Sequence, residues 1–152
     1  MRARDASPGT ALSTLIGHTN HINSVAFSTD GTCVVSSNDS SVRMGDASTG
    51  TVLATPNGHT DLVNSVGFST DGTCIVSGSS DKPVDVWNAS TGTVLATLNG
   101  HTNWISSVVF STDGTHMVSR MTRPCTLVAE RSTGPNEDTA HVDSWDAKLP
   151  LL

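Results

Sequence analysis

Three stretches of this chain are near copies of one another, and this repetition limits the possible folds more than any other feature. The pair Gly-His recurs at Gly17–His18, Gly58–His59 and Gly100–His101, at separations of 41 and 42 residues. The phrase Phe-Ser-Thr-Asp-Gly recurs in the same register, at 27–31, 68–72 and 110–114. Repetition with a period in the low forties is typical of small supersecondary units that bury their apolar faces on one another. The sequence therefore predicts a repeat protein.

The central unit shows what each repeat is made of. Its apolar and β-branched runs, at 62–68, 74–77, 84–87 and 94–98, are separated by turn residues such as Asp71-Gly72 and Thr91-Gly92. Asp-Gly between two such runs is a strong hairpin signal, and β-branched residues favour strands. Each unit is therefore predicted to be a four-stranded antiparallel sheet, and the chain to be all-β.

The order of motifs within a unit resembles the WD-repeat β-propeller family. The central unit carries Gly-His, then Phe-Ser-Thr-Asp-Gly, then Ser-Gly-Ser-Ser-Asp, then Val-Asp-Val-Trp-Asn and finally Thr-Gly, and the resemblance covers roughly residues 5–134. It implies a partial β-propeller of about three four-stranded blades, because four blades of about 42 residues need about 170. The near-identical units further resemble the arrays of fungal NACHT-type WD-repeat proteins.

The repeats give the predicted organisation of the chain. Residues 1–16 match the end of a preceding unit, including its outer strand, and 17–57 and 58–99 are the first two WD-like repeats. Residues 100–134 form a degenerate third repeat, in which Arg123 and Ala129 replace Asp81 and Trp87 of the second. Residues 135–152 no longer follow the repeat and are predicted to be an irregular tail.

Four polar residues of the central unit invite a catalytic interpretation, but the resemblance implies a structural one. In the WD-repeat family, the positions of His59, Ser77, Asp81 and Trp87 form a hydrogen-bond network inside each blade. Such a network satisfies half-buried polar groups and fixes the loops. The corresponding residues of the other two units are His18, Ser36 and Asp39 in the first, with Gly45 replacing the tryptophan, and His101 and Ser119 in the third. We therefore expect stability to decrease from the second blade to the first to the third.

No constellation predicts an enzyme, a metal or a cofactor. Ser77 lies in a strand, in the context Ile-Val-Ser-Gly, without the glycine-flanked elbow of a nucleophile. His18, His59 and His101 recur once per unit, so they lie on separate loops and not around one ion. No glycine-rich phosphate-binding motif occurs. The chain is predicted to be non-catalytic.

Composition and charge limit the classes of partner that the chain is expected to bind. The net charge is −6 with only 8 scattered basic residues, which argues against nucleic acid. No apolar run reaches the roughly 18 residues of a membrane span, and no secretory signal precedes the first repeat. The 3 cysteines are an odd number, and two of them lie within apolar strands. These features predict a cytoplasmic protein without a membrane partner.

Loop positions that differ between the repeats could recognise a protein or peptide partner. After the conserved Gly-His-Thr, the copies carry His21, Leu62 and Trp104 in turn, and Asn38 or Ser80 precedes the turn aspartate. In WD-repeat proteins these loops lie on a face that commonly docks peptides and domains. Trp104 has two interpretations: an exposed aromatic anchor, or a side chain packed between blades.

The leading functional hypothesis is a non-catalytic scaffold for protein–protein interaction. Two alternatives remain open. In the first, two chains exchange the N-terminal strand and assemble as a homodimer into a closed propeller. In the second, the chain is a truncated or degenerate fragment without a function of its own, whose sheet edges promote aggregation.

Overall fold

The computed structural model describes residues 1–4, 11–122, 127–131 and 143–144. The regular structure in these residues is entirely β. Its strands are β1 (Arg2–Arg4), β2 (Ala11–Thr14), β3 (Ser24–Phe27), β4 (Cys33–Asn38), β5 (Ser41–Asp46), β6 (Val52–Ala54), β7 (Val63–Phe68), β8 (Cys74–Ser79), β9 (Val84–Asn88), β10 (Val94–Leu98), β11 (Ile105–Phe110), β12 (His116–Met121), β13 (Leu127–Arg131) and β14 (Asp143–Ser144). No helix long and apolar enough to cross a membrane occurs in this part of the chain.

Twelve of these strands form three four-stranded antiparallel sheets that follow the repeats. Blade 1 contains β3 to β6, blade 2 contains β7 to β10 and blade 3 contains β11 to β14, each in sequence order. The first strands of successive blades lie next to each other. The prediction of a partial β-propeller of about three blades is confirmed.

The hairpin turns owe their shape to the repeated Ser-Thr-Asp-Gly-Thr phrase. In blade 1, one carboxylate oxygen of Asp30 accepts hydrogen bonds from the Ser28 hydroxyl at 2.6 Å and from the Thr32 amide at 3.0 Å. Gly31 takes a φ of 71°, which is accessible to glycine at little cost. Asp71 and Asp113 make the same bonds in blades 2 and 3. These turns define what we call the lower end of the blades.

The core lies between blades and not within one sheet. One apolar cluster joins blades 1 and 2, and a second joins blades 2 and 3. The close approach depends on Gly78, where an added Cβ would lie 2.5 Å from the Ile105 side chain. Asparagine side chains connect the blades as well: Asn23 donates to the Val63 carbonyl at 3.1 Å, and Asn64 to the Ile105 carbonyl at 2.8 Å.

The N-terminal hairpin reproduces the outer half of a blade. In it, β1 pairs with β2 so that Ala3 lies opposite Ser13 and Arg4 opposite Ala11, with a bulge between the two pairs. Met44 and Gly45 pair with Ala54 and Val52 in the same way. The Ser13 hydroxyl donates to the Ala47 carbonyl at 2.7 Å and so attaches the hairpin to blade 1. Residues 5–10 lie outside the described residues.

Blade 3 has a fourth strand in the segment that was predicted to be irregular. Asp143 and Ser144 pair with Ala129 and Val128 of β13. Backbone hydrogen bonds require no particular side chains, so a short extended segment can occupy the free edge of β13 although the repeat has ended. The rest of the predicted tail lies outside the described residues.

Candidate functional site

The structure brings together the four polar residues of blade 2. His59 precedes β7, Ser77 lies on β8, Asp81 follows β8 and Trp87 lies on β9. The His59 Nδ1 lies 3.0 Å from the Asp81 carboxylate, and its Nε2 lies 2.7 Å from the Ser77 hydroxyl. The Trp87 indole N–H donates to the same hydroxyl at 2.7 Å. The four side chains form one continuous hydrogen-bond network.

The direction of these bonds follows from the groups themselves. A carboxylate only accepts, so His59 donates from Nδ1 to Asp81, and the indole of Trp87 only donates, so Ser77 accepts from it. The Ser77 hydroxyl proton is then free to be donated to His59 Nε2. Ser77 is fully buried and the His59 side chain is 1% exposed. A substrate cannot reach this hydroxyl, and the arrangement acts on the blade itself.

A buried carboxylate that the sequence analysis missed lies beside the network. Asp85, on β9, accepts a hydrogen bond from the Thr97 hydroxyl of the outer strand at 2.7 Å. Its other oxygen lies 3.5 Å from His59 Nε2, which accepts from Ser77, so Asp85 contacts the network without a hydrogen bond to it. Its signal in the sequence was a charged residue in an otherwise apolar strand, two positions before Trp87.

Blade 1 keeps only part of this arrangement. His18 Nε2 lies 2.9 Å from the Ser36 hydroxyl, but the buried His18 Nδ1 has no hydrogen-bond partner. The expectation that Asp39 belongs to the network requires correction. The segment between the paired residues Ser36 and Arg43 is one residue shorter than the segment between Ser77 and Asp85. Asp39 takes a φ of 26° and accepts a bond from Ser41 instead. Asp39 therefore does not replace Asp81.

The electrostatics of blade 1 differ accordingly. Arg43 occupies the strand position that corresponds to Asp85, opposite Ser36. Burial, together with the nearby Arg43 guanidinium, lowers the pKa of His18 below its ordinary value of 6.5. At the tryptophan position of this blade, an added Cβ on Gly45 would lie 2.5 Å from the Leu15 side chain. A leucine from the N-terminal segment thus occupies space next to Gly45, where blade 2 carries an indole.

Blade 3 keeps the histidine and the serine. His101 Nε2 lies 2.6 Å from the Ser119 hydroxyl, and the buried His101 Nδ1 has no partner. Burial lowers the pKa of His101 below 6.5. Arg123, which replaces Asp81 in the sequence, lies outside the described residues. Among the described residues, His59 of blade 2 is the one network histidine in which both ring nitrogens have a hydrogen-bond partner.

The predicted loop positions fall into two groups. His21, Leu62 and Trp104 lie at the surface, and Leu62 and Trp104 are 47% and 56% exposed. Of the two interpretations of Trp104, the exposed one describes the structure. The Trp104 amide bonds to the Asn103 side chain at 2.8 Å, and its carbonyl accepts from the Thr122 amide at 3.0 Å. The exposed indole therefore extends from a fixed backbone. We call His21, Leu62 and Trp104 the loop surface.

The other two predicted partner positions are buried. Asn38 is 1% exposed, and its amide donates to the Asn20 carbonyl at 2.6 Å. Ser80 is 7% exposed, and its hydroxyl accepts from the Asn64 side chain at 3.0 Å. Both side chains support the loops from beneath and are not exposed to a partner. Sequence position alone did not distinguish a loop residue that points inward from one that points outward.

Within the described ranges, no group of three or more histidine, cysteine, aspartate or glutamate side chains is placed to hold a metal ion.

The fold and the buried networks define a repeat protein of the β-propeller class. The model of the WD domain, G-beta repeat, matches residues 9–46, 50–88 and 92–120, more than half of the chain. The chain belongs to the WD40 repeat family. Proteins of this family generally serve as scaffolds that bind protein partners.

Solved structures agree on the fold. The chain is similar to the structure of U3-55K and to the crystal structure of the RRP9 WD40 repeats, in each case with a TM-score of 0.73, 23% identity and 78% of this chain covered. It spans 38% and 37% of those two chains. Identity this low shows the fold alone. The comparison with curated proteins finds no match, and the resemblance to fungal NACHT-type proteins stays a prediction.

Proposed function

We propose that this chain is a non-catalytic, cytoplasmic WD40 scaffold that docks a protein or peptide partner on the loop surface. The observation that carries the proposal is Trp104, a large aromatic side chain that is 56% exposed on a backbone pinned by hydrogen bonds. Aromatic side chains supply much contact area at a low cost in rotamer entropy, and they dominate binding energies at interfaces. Leu62, at the same position of the neighbouring blade, adds apolar area.

The proposal excludes chemistry at the Ser-His-Asp set of blade 2. A nucleophile has to contact its substrate, and Ser77 is fully buried, with its hydroxyl hydrogen-bonded to both Trp87 and His59. It also excludes nucleic acid and membranes as direct partners, because a net charge of −6 repels phosphate groups.

The test compares Trp104→Ala with Leu95→Ala. Leu95 is 53% exposed on the outer strand of blade 2, so both variants remove an exposed apolar side chain from a folded chain. Proteins captured from a cell extract by the unchanged chain and by Leu95→Ala should be lost with Trp104→Ala. Purified, such a partner should bind Trp104→Ala at least about thirtyfold more weakly, as expected for an aromatic hot spot.

Two outcomes count against the scaffold proposal. Capture of the same partners by Trp104→Ala would remove the loop surface as the docking site. If the folded chain captures no protein at all, the hypothesis of a degenerate fragment without a function of its own becomes the better one.

A second candidate, assembly of two chains, has one supporting observation. Val25 and Phe27 of blade 1 are 54% and 56% exposed, whereas Val66 and Phe110, in corresponding positions of blades 2 and 3, are 5% and 8% exposed. This apolar face of blade 1 is suited to pack against another sheet.

Strand exchange between two copies meets an obstacle at blade 3. Arg120 occupies the position of Gly78, opposite Ser107 as Gly78 lies opposite Ser65. Ile105 of blade 3 packs on Gly78 of blade 2, which has no side chain. A blade that approached the free face of blade 3 would meet the guanidinium of Arg120 at the same position. We therefore expect sedimentation to find a monomer, and Arg120→Gly to increase self-association. A stable dimer of the unchanged chain would show that Arg120 does not prevent assembly and would favour the second candidate.

A further inference from the structure

A groove opens between blades 1 and 2 at their lower end, opposite the loop surface. It has a volume of about 670 Å3, within the range of roughly 300 to 1,000 Å3 found for ligand pockets. Its apolar lining consists of Cys33, Met44, Leu53, Phe68 and Ala89. Leu53 is 51% exposed, so a ligand in this groove would cover it. We call this site the lower groove.

The turns beside the lower groove are held in a fixed arrangement. The Thr29 hydroxyl of the blade 1 turn donates to the Thr70 carbonyl of the blade 2 turn at 2.8 Å. At the junction of blades 2 and 3 the packing is closer. An added Cβ on Gly114 would lie 2.5 Å from the Thr70 hydroxyl, whereas one on Gly72, which lines the groove, would meet nothing within 4 Å. The groove between blades 1 and 2 therefore results from the wider separation of these two blades, and not from the absence of a side chain at Gly72.

Two carboxylates line the rim of this apolar space. Asp30 and Asp71 both border the groove, and in each of them the hydrogen bonds of the turn engage Oδ1. The serine and threonine donors of each turn lower the pKa of Asp30 and of Asp71 below 3.8, so both are ionised near neutral pH. No lysine or arginine is among the lining residues. An apolar floor with fixed negative charges at its rim suits a ligand of matching pattern.

We propose that the lower groove binds an extended segment of a partner protein in which a leucine or phenylalanine side chain is flanked by arginine or lysine. The apolar side chain enters between Leu53 and Phe68, and the cationic groups pair with Asp30 and Asp71. This site is separate from the loop surface, because the two lie at opposite ends of β7. A scaffold with both sites would hold two partner segments at once.

The test uses the intact chain and a fluorescein-labelled peptide, Gly-Ser-Arg-Leu-Arg-Ser-Gly, with binding followed by fluorescence anisotropy at low salt. Asp30→Asn with Asp71→Asn removes both charges but keeps an amide oxygen to accept the bonds of each turn. We expect this double variant to bind the peptide about tenfold more weakly. Asp113→Asn, the same change in the blade 3 turn outside the groove, is the matched control and should bind normally.

The apolar contact is tested separately. Leu53→Ser should weaken binding several-fold, and Leu95→Ser, equally exposed on the outer strand of blade 2, should not. A peptide with aspartates in place of its arginines should bind at least about tenfold more weakly to the unchanged chain.

The proposal would be overturned by the absence of peptide binding by the folded chain at millimolar concentration, by equal losses in the groove variants and their controls, or by equal binding of the acidic peptide. Trp104→Ala should leave peptide binding unchanged, so failure at the lower groove is distinguishable from failure at the loop surface. If Trp104→Ala weakens the peptide as much as the aspartate variants do, the peptide binds elsewhere and the proposal is wrong.

Discussion

Blades 1 and 2 have similar sequences and the same strand order, yet their buried polar side chains differ in how many hydrogen bonds they make. In blade 2, both nitrogens of His59 have partners, and Trp87 closes the network. In blade 1, one nitrogen of His18 is buried without a partner, and the indole is absent. In blade 1 the Leu15 side chain of a neighbouring segment lies beside Gly45, at the position where blade 2 carries its indole.

The largest difference between the blades should lie in the indole. Trp87→Ala removes a side chain that is 1% exposed and leaves a cavity between blades 1 and 2. Core Trp→Ala changes typically cost about 3 to 5 kcal/mol of unfolding free energy. Urea denaturation followed by circular dichroism measures this, and a loss below about 1 kcal/mol would mean that the indole is as dispensable in blade 2 as in blade 1.

The next difference lies in the two turn aspartates. Asp81→Ala leaves the buried His59 Nδ1 without an acceptor, which should cost about 1 to 3 kcal/mol. Asp39→Ala, at the corresponding turn of blade 1, removes no bond to His18. It loses only the Ser41 hydrogen bond and places alanine at a φ of 26°, so it should cost less than Asp81→Ala, about 0.5 to 1 kcal/mol. The same urea experiment compares the two variants. Equal costs would show that Asp39 supports His18 in spite of the shorter turn.

Hydrogen exchange should rank the blades. We expect amides of β8 to exchange most slowly, those of β4 next and those of β12 fastest, with steps of roughly tenfold. Blade 2 has partners for both nitrogens of its histidine and a blade on each face. Among the described residues, His18 and His101 each have one nitrogen without a partner, and the second face of blade 1 contacts only the N-terminal hairpin. Slowest exchange in β12 would contradict the order and would show that the networks do not govern local stability.

The smallest effect should come from acid. The pKa values of His18 and His101 are lowered in the folded chain, so the unfolded chain binds protons first as the pH falls below 6.5. Stability should therefore decrease between about pH 7 and 5.5, by less than the aspartate effect. His18→Gln combined with His101→Gln should flatten this dependence in urea midpoints. An unchanged slope in the double variant would assign the acid effect to other groups.

The fold was predictable because the repetition is local and dense. Gly31 and Asp30 mark one turn, and the same turn recurs twice, so the strands between the turns follow from their apolar runs. The positions of Ser77 and Trp87 within the central unit were predictable for the same reason. What the sequence could not show depends on contacts between distant segments.

Two such features illustrate the limit. Leu15 lies beside Gly45 only because the N-terminal hairpin docks on blade 1. Asn38 and Ser80 point inward, because their partners lie in the loop before β3 and on β7. A third feature was readable but overlooked: one residue is missing between Ser36 and Asp39, and the aspartate is redirected although its residue type suits the network.

The difference between Gly78 and Arg120, which occupy the same position in blades 2 and 3, determines where a further unit could pack. The bare backbone at Gly78 lets the following unit approach to van der Waals contact, while the corresponding arginine of blade 3 demands either water or an anionic neighbour. An engineer who wishes to lengthen this protein should therefore complete the blade that the N-terminal hairpin begins and should not add a unit after blade 3. The two inner strands of that blade, added before the hairpin, would stack on Val25 and Phe27.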